Sequence, residues 1–300
     1  MRFGIALLIT LVFVMIISVS VGYGLLQFKN ASMLIDEEKA LYQSTMILED
    51  VLEILQSSPE IVHLADSNAS EDLYIFLQNS TYIPLDLGGE KIEISFESAR
   101  SKININTLNR GNEDLFRNYF RRYMIAESYL DVLKECMSIN QAKEGYNSQY
   151  LSALFDNNPE LFREYIASRE HLDIINDFYM REYGEENLKN IPFENLFSYA
   201  FAPAQEIDLN YAKADVWELI LDVSKERALM LAQQAGGYHS LEDLGLSKRE
   251  KENLKKFRTS FFSPYLLVKV AILRNKRGVS NIYFEYDIKQ KRGYNFVFEL

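Results

Sequence analysis

The feature that most constrains this chain is a long run near its amino end that carries no charge. Between Ile5 and Val21 (IALLITLVFVMIISVSV) no ionisable side chain occurs, and the uncharged stretch continues through Phe28 to Lys29. One helix needs about 20 apolar residues to cross a bilayer, because in lipid every backbone N–H and C=O must be paired within the segment. A cleavable secretory signal has a shorter apolar core, closed by a small-residue cleavage site. Here the run is longer, and the QFKNAS that follows from Gln27 to Ser32 offers no such site. Residues 5–28 are therefore expected to form a single membrane pass that anchors a large water-soluble body. Arg2 precedes the run, whereas Lys29 is soon followed by Asp36, Glu37 and Glu38. That balance places the amino end in the cytoplasm and the body outside.

The body is long enough for one elaborate domain or two simple ones. With 48% hydrophobic and 25% charged residues it reads as globular. The full chain's net charge of −11 disfavours loose binding to nucleic acid or anionic lipid. Cys136 is the only cysteine, so no intrachain disulfide can form. His63, His171 and His239 lack the spacing of zinc ligands. Asp66–Ser70 (DSNAS) opens like a calcium loop but lacks that loop's glycine and closing glutamate, and it reads as a solvated loop. The same residues fit the acid-x-Asn-x-Ser acceptor of bacterial N-glycosylation, which makes Asn68 a candidate modification site; Asn30 and Asn79 fit only the short form. No nucleophile–base pair, signature carboxylate pair or phosphate loop is found, so the chain reads as non-catalytic.

From Met33 to Gln56 the spacing predicts a helix with a narrow seam of Leu34, Leu41, Thr45, Leu48, Leu52 and Leu55. Joined to the membrane helix it would form a rod of about 50 residues and roughly 75 Å, ended by Ser57-Ser58-Pro59. Such a rod suits lateral packing against other rods. Glu71–Gln78 reads as a short helix, with turns at Pro84 and Gly88-Gly89. Lys91–Glu97 and Ser101–Leu108 alternate, predicting two adjacent antiparallel strands. A helical region opens at Gly111, with Leu115, Phe116, Tyr119, Phe120, Tyr123, Ala126, Leu130, Leu133 and Met137 on one face. Helices follow at Pro159–Ser168, His171–Tyr183 and Phe193–Phe201. Beyond Pro203, Asp208-Leu209-Asn210 leads into Ala214–Leu221, Lys225–Gln234, a Gly236-Gly237 turn, Ser240–Leu244 and Ser247–Phe257. Tyr265–Leu273, Ile282–Ile288 and Tyr294–Leu300 read as closing strands. The fold class is α+β: a long amino-terminal helix and a small antiparallel sheet, with a large all-helical domain inserted into the sheet. The divisions are residues 29–58 for the soluble part of the rod and 59–110 for the first part of the sheet domain. The insert covers 111–258, with a SAM-like or helix-hairpin-helix-like unit at 206–258, and the closing strands cover 259–300.

Several of these residues carry a resemblance. The short leader Met1–Gly4, the long helix and the small sheet resemble type IV pilin-like proteins. Lys102–Leu108 (KININTL) is similar to the "GKINLNTL" strand of general secretion pathway protein K, the K-type minor pseudopilin of type II secretion. Asp208–Asn210 before a helix, Tyr238–Leu244 (YHSLEDL) and Phe262-Ser263 before the last sheet resemble further segments of that family, in order along nearly the whole chain. The resemblance implies that prepilin peptidase removes residues 1–4 by cutting Gly4–Ile5, and that Ile5 becomes an N-methylated terminus. It implies an inner-membrane protein with a periplasmic body, joined to other minor pseudopilins in a tip complex. Secreted cargo or the outer-membrane secretin are its implied further contacts. The seam Leu34, Leu41, Leu48, Leu52 and Leu55 would pack on partner helices. The fifth mature position is Ile9 rather than the usual pilin glutamate, as in the K-type subunit, which suits a place with no subunit beyond it. Ser101 stands where the family has glycine. No segment matches the calcium loops of some members, and Cys136 cannot form their disulfide, so no cofactor is assigned. Lys225–Leu244 resembles a helix-hairpin-helix, yet Leu221–Lys225 fills the hairpin without Gly-x-Gly and brings Asp222, so nucleic acid is not an expected partner. Two other tasks fit the same features: a minor or tip pilin of a type IV pilus or DNA-uptake pseudopilus, and an uncleaved signal-anchored envelope protein.

Overall fold

The computed structural model describes residues 38–67, 69–80, 82–87, 90–137, 149–200, 205–274 and 278–299, with isolated positions at 23, 26, 27 and 29. Gly4, Ile5, Ile9, Leu34, Asn68 and almost all of the apolar run lie outside the described residues. Among the described residues no helix is long and apolar enough to cross a membrane.

Helix α1 runs over 38–57. Ala40, Ser44, Ile47, Leu48, Val51 and Leu55 are buried at steps of three and four, a single stripe along one side. The stripe lies on a five-stranded antiparallel sheet of order β1-β2-β7-β8-β9. These strands are β1 (Ile83–Leu87), β2 (Glu90–Ser98), β7 (Tyr265–Arg274), β8 (Gly278–Asp287) and β9 (Arg292–Glu299). Alternate residues of a strand face one side, so Ile92, Ile94 and Phe96 join Leu266, Val268, Val270, Ile272, Ile282, Phe284 and Tyr286 in one core beneath the helix. The first helix ends at Ser57 as expected, with Ser58 non-helical before Pro59. The proline then opens a second helix, α2 (Pro59–Ser67), at the position where its missing N–H has no partner to lose, and α3 (Ser70–Asn79) follows. Pro84 lies within β1, an edge strand where proline is tolerated.

The segment Ser101–Leu108 corrects an expectation. It does not pair with β2, whose neighbours are β1 and β7. Only Ile103–Asn104 is strand (β3), and it pairs in parallel with β4 (Phe197–Ser198). The Asn104 side chain accepts the N–H of Asn106 and turns the chain into a short 3-10 helix at Ile105–Thr107. Asparagine competes with the ladder through such local bonds.

Most of the described buried residues between β2 and β7 form a second core, running from Ile103 to Phe257. It holds α4 (Glu113–Arg122), α5 (Ser128–Cys136), α6 (Gln149–Asn157), α7 (Arg169–Tyr183), α8 (Phe193–Leu196), α9 (Ala214–Leu221), α10 (Lys225–Gln233) and α11 (Lys248–Leu254). Trp217, Tyr119, Tyr129 and Tyr179 are its largest buried side chains. The expected helix at Pro159–Ser168 is absent: helix ends at Asn157 before Pro159 and resumes at Arg169, where Ser168 caps the new N-terminus. Met124, at φ 59, separates α4 from α5, so Ile125 rather than Ala126 is buried. Of the helix expected at Phe193–Phe201, the described residues show only the four of α8 before β4, and Ser240–Leu244 forms turns. The insert is not wholly helical. The segment between β2 and β7, wider than residues 111–258, begins with β3 paired to β4, and its second unit begins with β5 (Ile207–Asp208) paired in parallel to β6 (Thr259–Ser260).

Candidate assembly surface

Two asparagine staples hold the insert in shape and fix it to the sheet. In the first, the Asn106 amide nitrogen donates to the carbonyls of Ile166 and Ala200, and its oxygen accepts the N–H of Ile166 at 2.8 Å. In the second, the Asn210 amide nitrogen donates to the carbonyls of Tyr238 and Phe261, and its oxygen accepts the N–H of Tyr238 at 2.9 Å. The bonding plan is the same. One side chain meets both polar groups of a distant peptide and one further carbonyl, so it closes loops that the sequence keeps far apart. Each asparagine is preceded, two residues earlier, by a residue that braces its turn: Asn104 in the first and Asp208 in the second.

The second staple is also the joint with the sheet domain. Asp208 donates its N–H to Arg100, just after β2, and Lys213 donates to Ser101. The Arg100 guanidinium pairs with Glu285 of β8 at 2.7 Å and lies 4.3 Å from the centre of the Tyr265 ring. Farther along, Gly236 packs on Tyr74 of α3 so closely that a Cβ there would stand 2.5 Å from the ring. These contacts brace the insert against both the sheet and α3. Beside the joint, a groove of about 330 Å³ separates the start of α7 from the open face of the sheet. Lys102 stands in its wall; burial lowers its pKa, with Lys213 adding to the effect.

This bracing leaves one face of α1 open. Leu48 and Leu55 lie inside the subunit against the sheet, and Leu52 is half-buried on the same core. The expected use of Leu48 and Leu55 as partner contacts is thereby corrected: their surface is already covered by the chain's own strands. What faces outward is Tyr42 (68% exposed), Met46 (51%), Leu41 (44%) and Ile54 (39%), with Glu49, Asp50 and Glu53 among them. Single exposed apolar residues are ordinary, but several large ones on one helix mark a surface for contact.

The hairpin end of the insert is electrostatically closed. Asp222, left-handed at φ 55 after α9, takes Arg122 at 2.6 Å and Arg249 at 2.5 Å, with Asn118 as a further donor. Arg122 also pairs with Glu218. Both arginines are thus engaged by carboxylates, an arrangement that disfavours phosphate. His63 meets Asp72 and His239 meets Glu71, while His171 is buried and accepts the N–H of Ala167. Burial lowers the His171 pKa and pushes the Cys136 thiol up to about 12, which keeps both uncharged. Among the described residues no group of three or more His, Cys, Asp or Glu side chains could hold a metal ion. The staples were legible only as motifs, since Ile166 and Tyr238 carry no signal of being their partners. The exposed face of α1 could have been found by setting the stripe on Ala40 and Ser44 rather than on the leucines.

The chain's architecture matches a solved one. A chain of the GspK-GspI-GspJ complex from the type 2 secretion system of enterotoxigenic Escherichia coli superposes with a TM-score of 0.57. The two chains share a fold. The match covers 88% of this chain and 97% of that chain, at 15% sequence identity. Coverage of that extent includes most of the helical insert, which is about half of the chain. No family model matches the chain, and no curated protein matches it.

Proposed function

We propose that this chain is a minor pseudopilin of a type II secretion system, acting by assembly rather than by chemistry. The observation that carries this reading is the fold shared with a chain of the GspK-GspI-GspJ complex over 88% of the length, most of the insert included. It agrees with the resemblance of Lys102–Leu108, Asp208–Asn210 and Tyr238–Leu244 to general secretion pathway protein K. In this reading the apolar run holds the chain in the inner membrane with its body in the periplasm. Cleavage at Gly4–Ile5 by prepilin peptidase releases it for assembly. The open face of α1 then meets the helices of other minor pseudopilins, and the insert caps the fibre and meets cargo or the secretin. Ile9, which offers no carboxylate to a subunit above, supports a place at the tip. The reading needs no cofactor.

The DNA-uptake alternative is disfavoured by the Asp222 network, which engages Arg122 and Arg249 where a phosphate would need them. Sequencing the amino terminus of the protein isolated from its host tests the reading. The expected result is a mature chain that starts with methylated Ile5. Intact Met1 in a host with active prepilin peptidase contradicts it and favours an uncleaved anchor.

A further inference from the structure

The five-stranded sheet has two edges, and they are guarded differently. β1 is five residues long; Pro84 within it offers no N–H to a neighbour, and Asp86 adds an exposed charge. β9 is eight residues long and holds no proline, and its only charges are Arg292 and Glu299 at the two ends. It pairs with β8 alone, and among the described residues no backbone group of 292–299 bonds to the backbone of any other element. Such an edge presents a row of N–H and C=O groups ready to take a further strand. Its one guard is a bulge at Asn295, φ 55, which bends the strand without covering it.

Both faces of β9 carry exposed apolar side chains. On the open face Tyr294 and Val297 stand opposite Glu285 and Tyr283, and they are 36% and 53% exposed. On the α1 face the Phe296 ring lies 5.5 Å from that of Phe284 yet stays 41% exposed, with Phe298 half-buried on the core. Gly293 makes room for that ring: a Cβ there would stand 2.7 Å from Phe296 and 3.1 Å from Leu52 of α1. The aromatic edge is thus continuous with the flank of α1. Free backbone groups call for an extended partner, and exposed rings on both faces call for apolar side chains on both of its faces. The end charges call for a carboxylate opposite Arg292 and a cation opposite Glu299. A second copy of this chain, paired antiparallel, meets those charges but not the anchor. Its two-fold axis stands normal to the sheet and turns α1 end for end, so the two amino-terminal runs would point in opposite directions.

We propose that β9 is a docking edge for an extended segment of a different chain, a neighbouring minor pseudopilin, which adds to the sheet as a sixth strand. The inference rests on the assembly reading and gives it a contact besides the open face of α1. Hydrogen–deuterium exchange of the full-length protein in detergent, alone and in the complex purified with its partner pseudopilins, tests it. Amides of 292–299 that face away from β8 are expected to exchange at least about tenfold more slowly in the complex. The middle of β7, paired on both sides within the subunit, is expected to hold constant. A complex in which β9 exchanges as it does in the free protein overturns the inference and leaves the assembly reading standing. Protection of β9 that rises with concentration in the protein alone identifies a second copy and overturns it too. A chain that joins no minor pseudopilin overturns the assembly reading and the inference together. Tyr294→Lys with Val297→Lys supplies a second arm, because both side chains are exposed. The double variant is expected to keep its denaturation midpoint while co-purification of the partners falls at least about tenfold. A folded double variant that retains its partners at the wild-type level overturns the docking edge.

Discussion

The two staples of the insert follow one plan, yet they sit in different surroundings. Asn106 is half-exposed and braced by the neutral amide of Asn104, whereas Asn210 is fully buried and braced by the carboxyl group of Asp208. The first staple closes the insert on itself; the second also joins it to Arg100 and Ser263 at the edge of the sheet domain. The same hydrogen bonds are therefore expected to differ in worth. An orphaned polar group that water can reach costs little, while one sealed in the interior costs its full desolvation. An amide brace is indifferent to pH. A carboxyl brace is not.

The largest expected effect comes from removing the buried staple. Asn210→Ala strips bonds from both polar groups of Tyr238 and from the carbonyl of Phe261. At about 1–3 kcal/mol for each buried group left unpaired, the loss should exceed about 3 kcal/mol. Asn106→Ala should cost somewhat less, because Asn106 and Ala200 are part-exposed, although Ile166 is buried. Urea denaturation of both variants breaks the comparison if their costs are equal.

Next is the pH dependence of the second brace. The Asp208 carboxyl group is raised in the fold from 3.8 to about 7, so the folded chain holds this proton more tightly than the unfolded chain does. Its contribution to stability is complete below about 3.8 and is lost as pH rises through about 7. Thermal melts of wild type and Asp208→Asn at pH 5 and pH 8 should show wild type losing more stability toward pH 8 than the variant does. Asn104→Asp in the first staple sets a carboxylate against the Ala200 carbonyl, and it should introduce a similar slope where none exists.

A smaller effect is expected at the outer contact of the second unit. Gly236→Ala combines a left-handed backbone at φ 82 with a Cβ driven into the Tyr74 ring. It should cost about 1–3 kcal/mol. Gly184→Ala, at φ 71 with open space around it, carries the backbone strain alone and should cost about 1 kcal/mol. Denaturation midpoints distinguish them, and equal losses would mean that the Tyr74 contact does not brace the insert.

Much of the sheet was legible because its physics is local. The alternation in Lys91–Glu97, Tyr265–Leu273 and Ile282–Ile288 needs one wet face and one dry face, and the strands formed where it said. The α1 seam was misplaced by a residue because leucines at heptad spacing outweighed Ala40 and Ser44. Those small buried residues lie on the side facing the sheet, so burial there is carried by size as well as by hydropathy. Ser101–Leu108 alternated just as convincingly, but only two of its residues are strand, since Asn104 and Asn106 bond to a turn and to distant loops. The staples themselves could not be read. Their partners Ile166, Ala200, Tyr238 and Phe261 contribute backbone atoms, which any residue would supply.

The smallest expected change in stability accompanies the most direct test of function. Tyr42 and Met46 project from α1 and touch little of the subunit, so Tyr42→Asp with Met46→Asp should shift stability by no more than about 0.5 kcal/mol. If α1 is the surface through which this chain joins other minor pseudopilins, the substitution should cut their co-purification from host membranes at least tenfold while the denaturation midpoint holds. Partners retained at the wild-type level by the folded double variant would contradict that account.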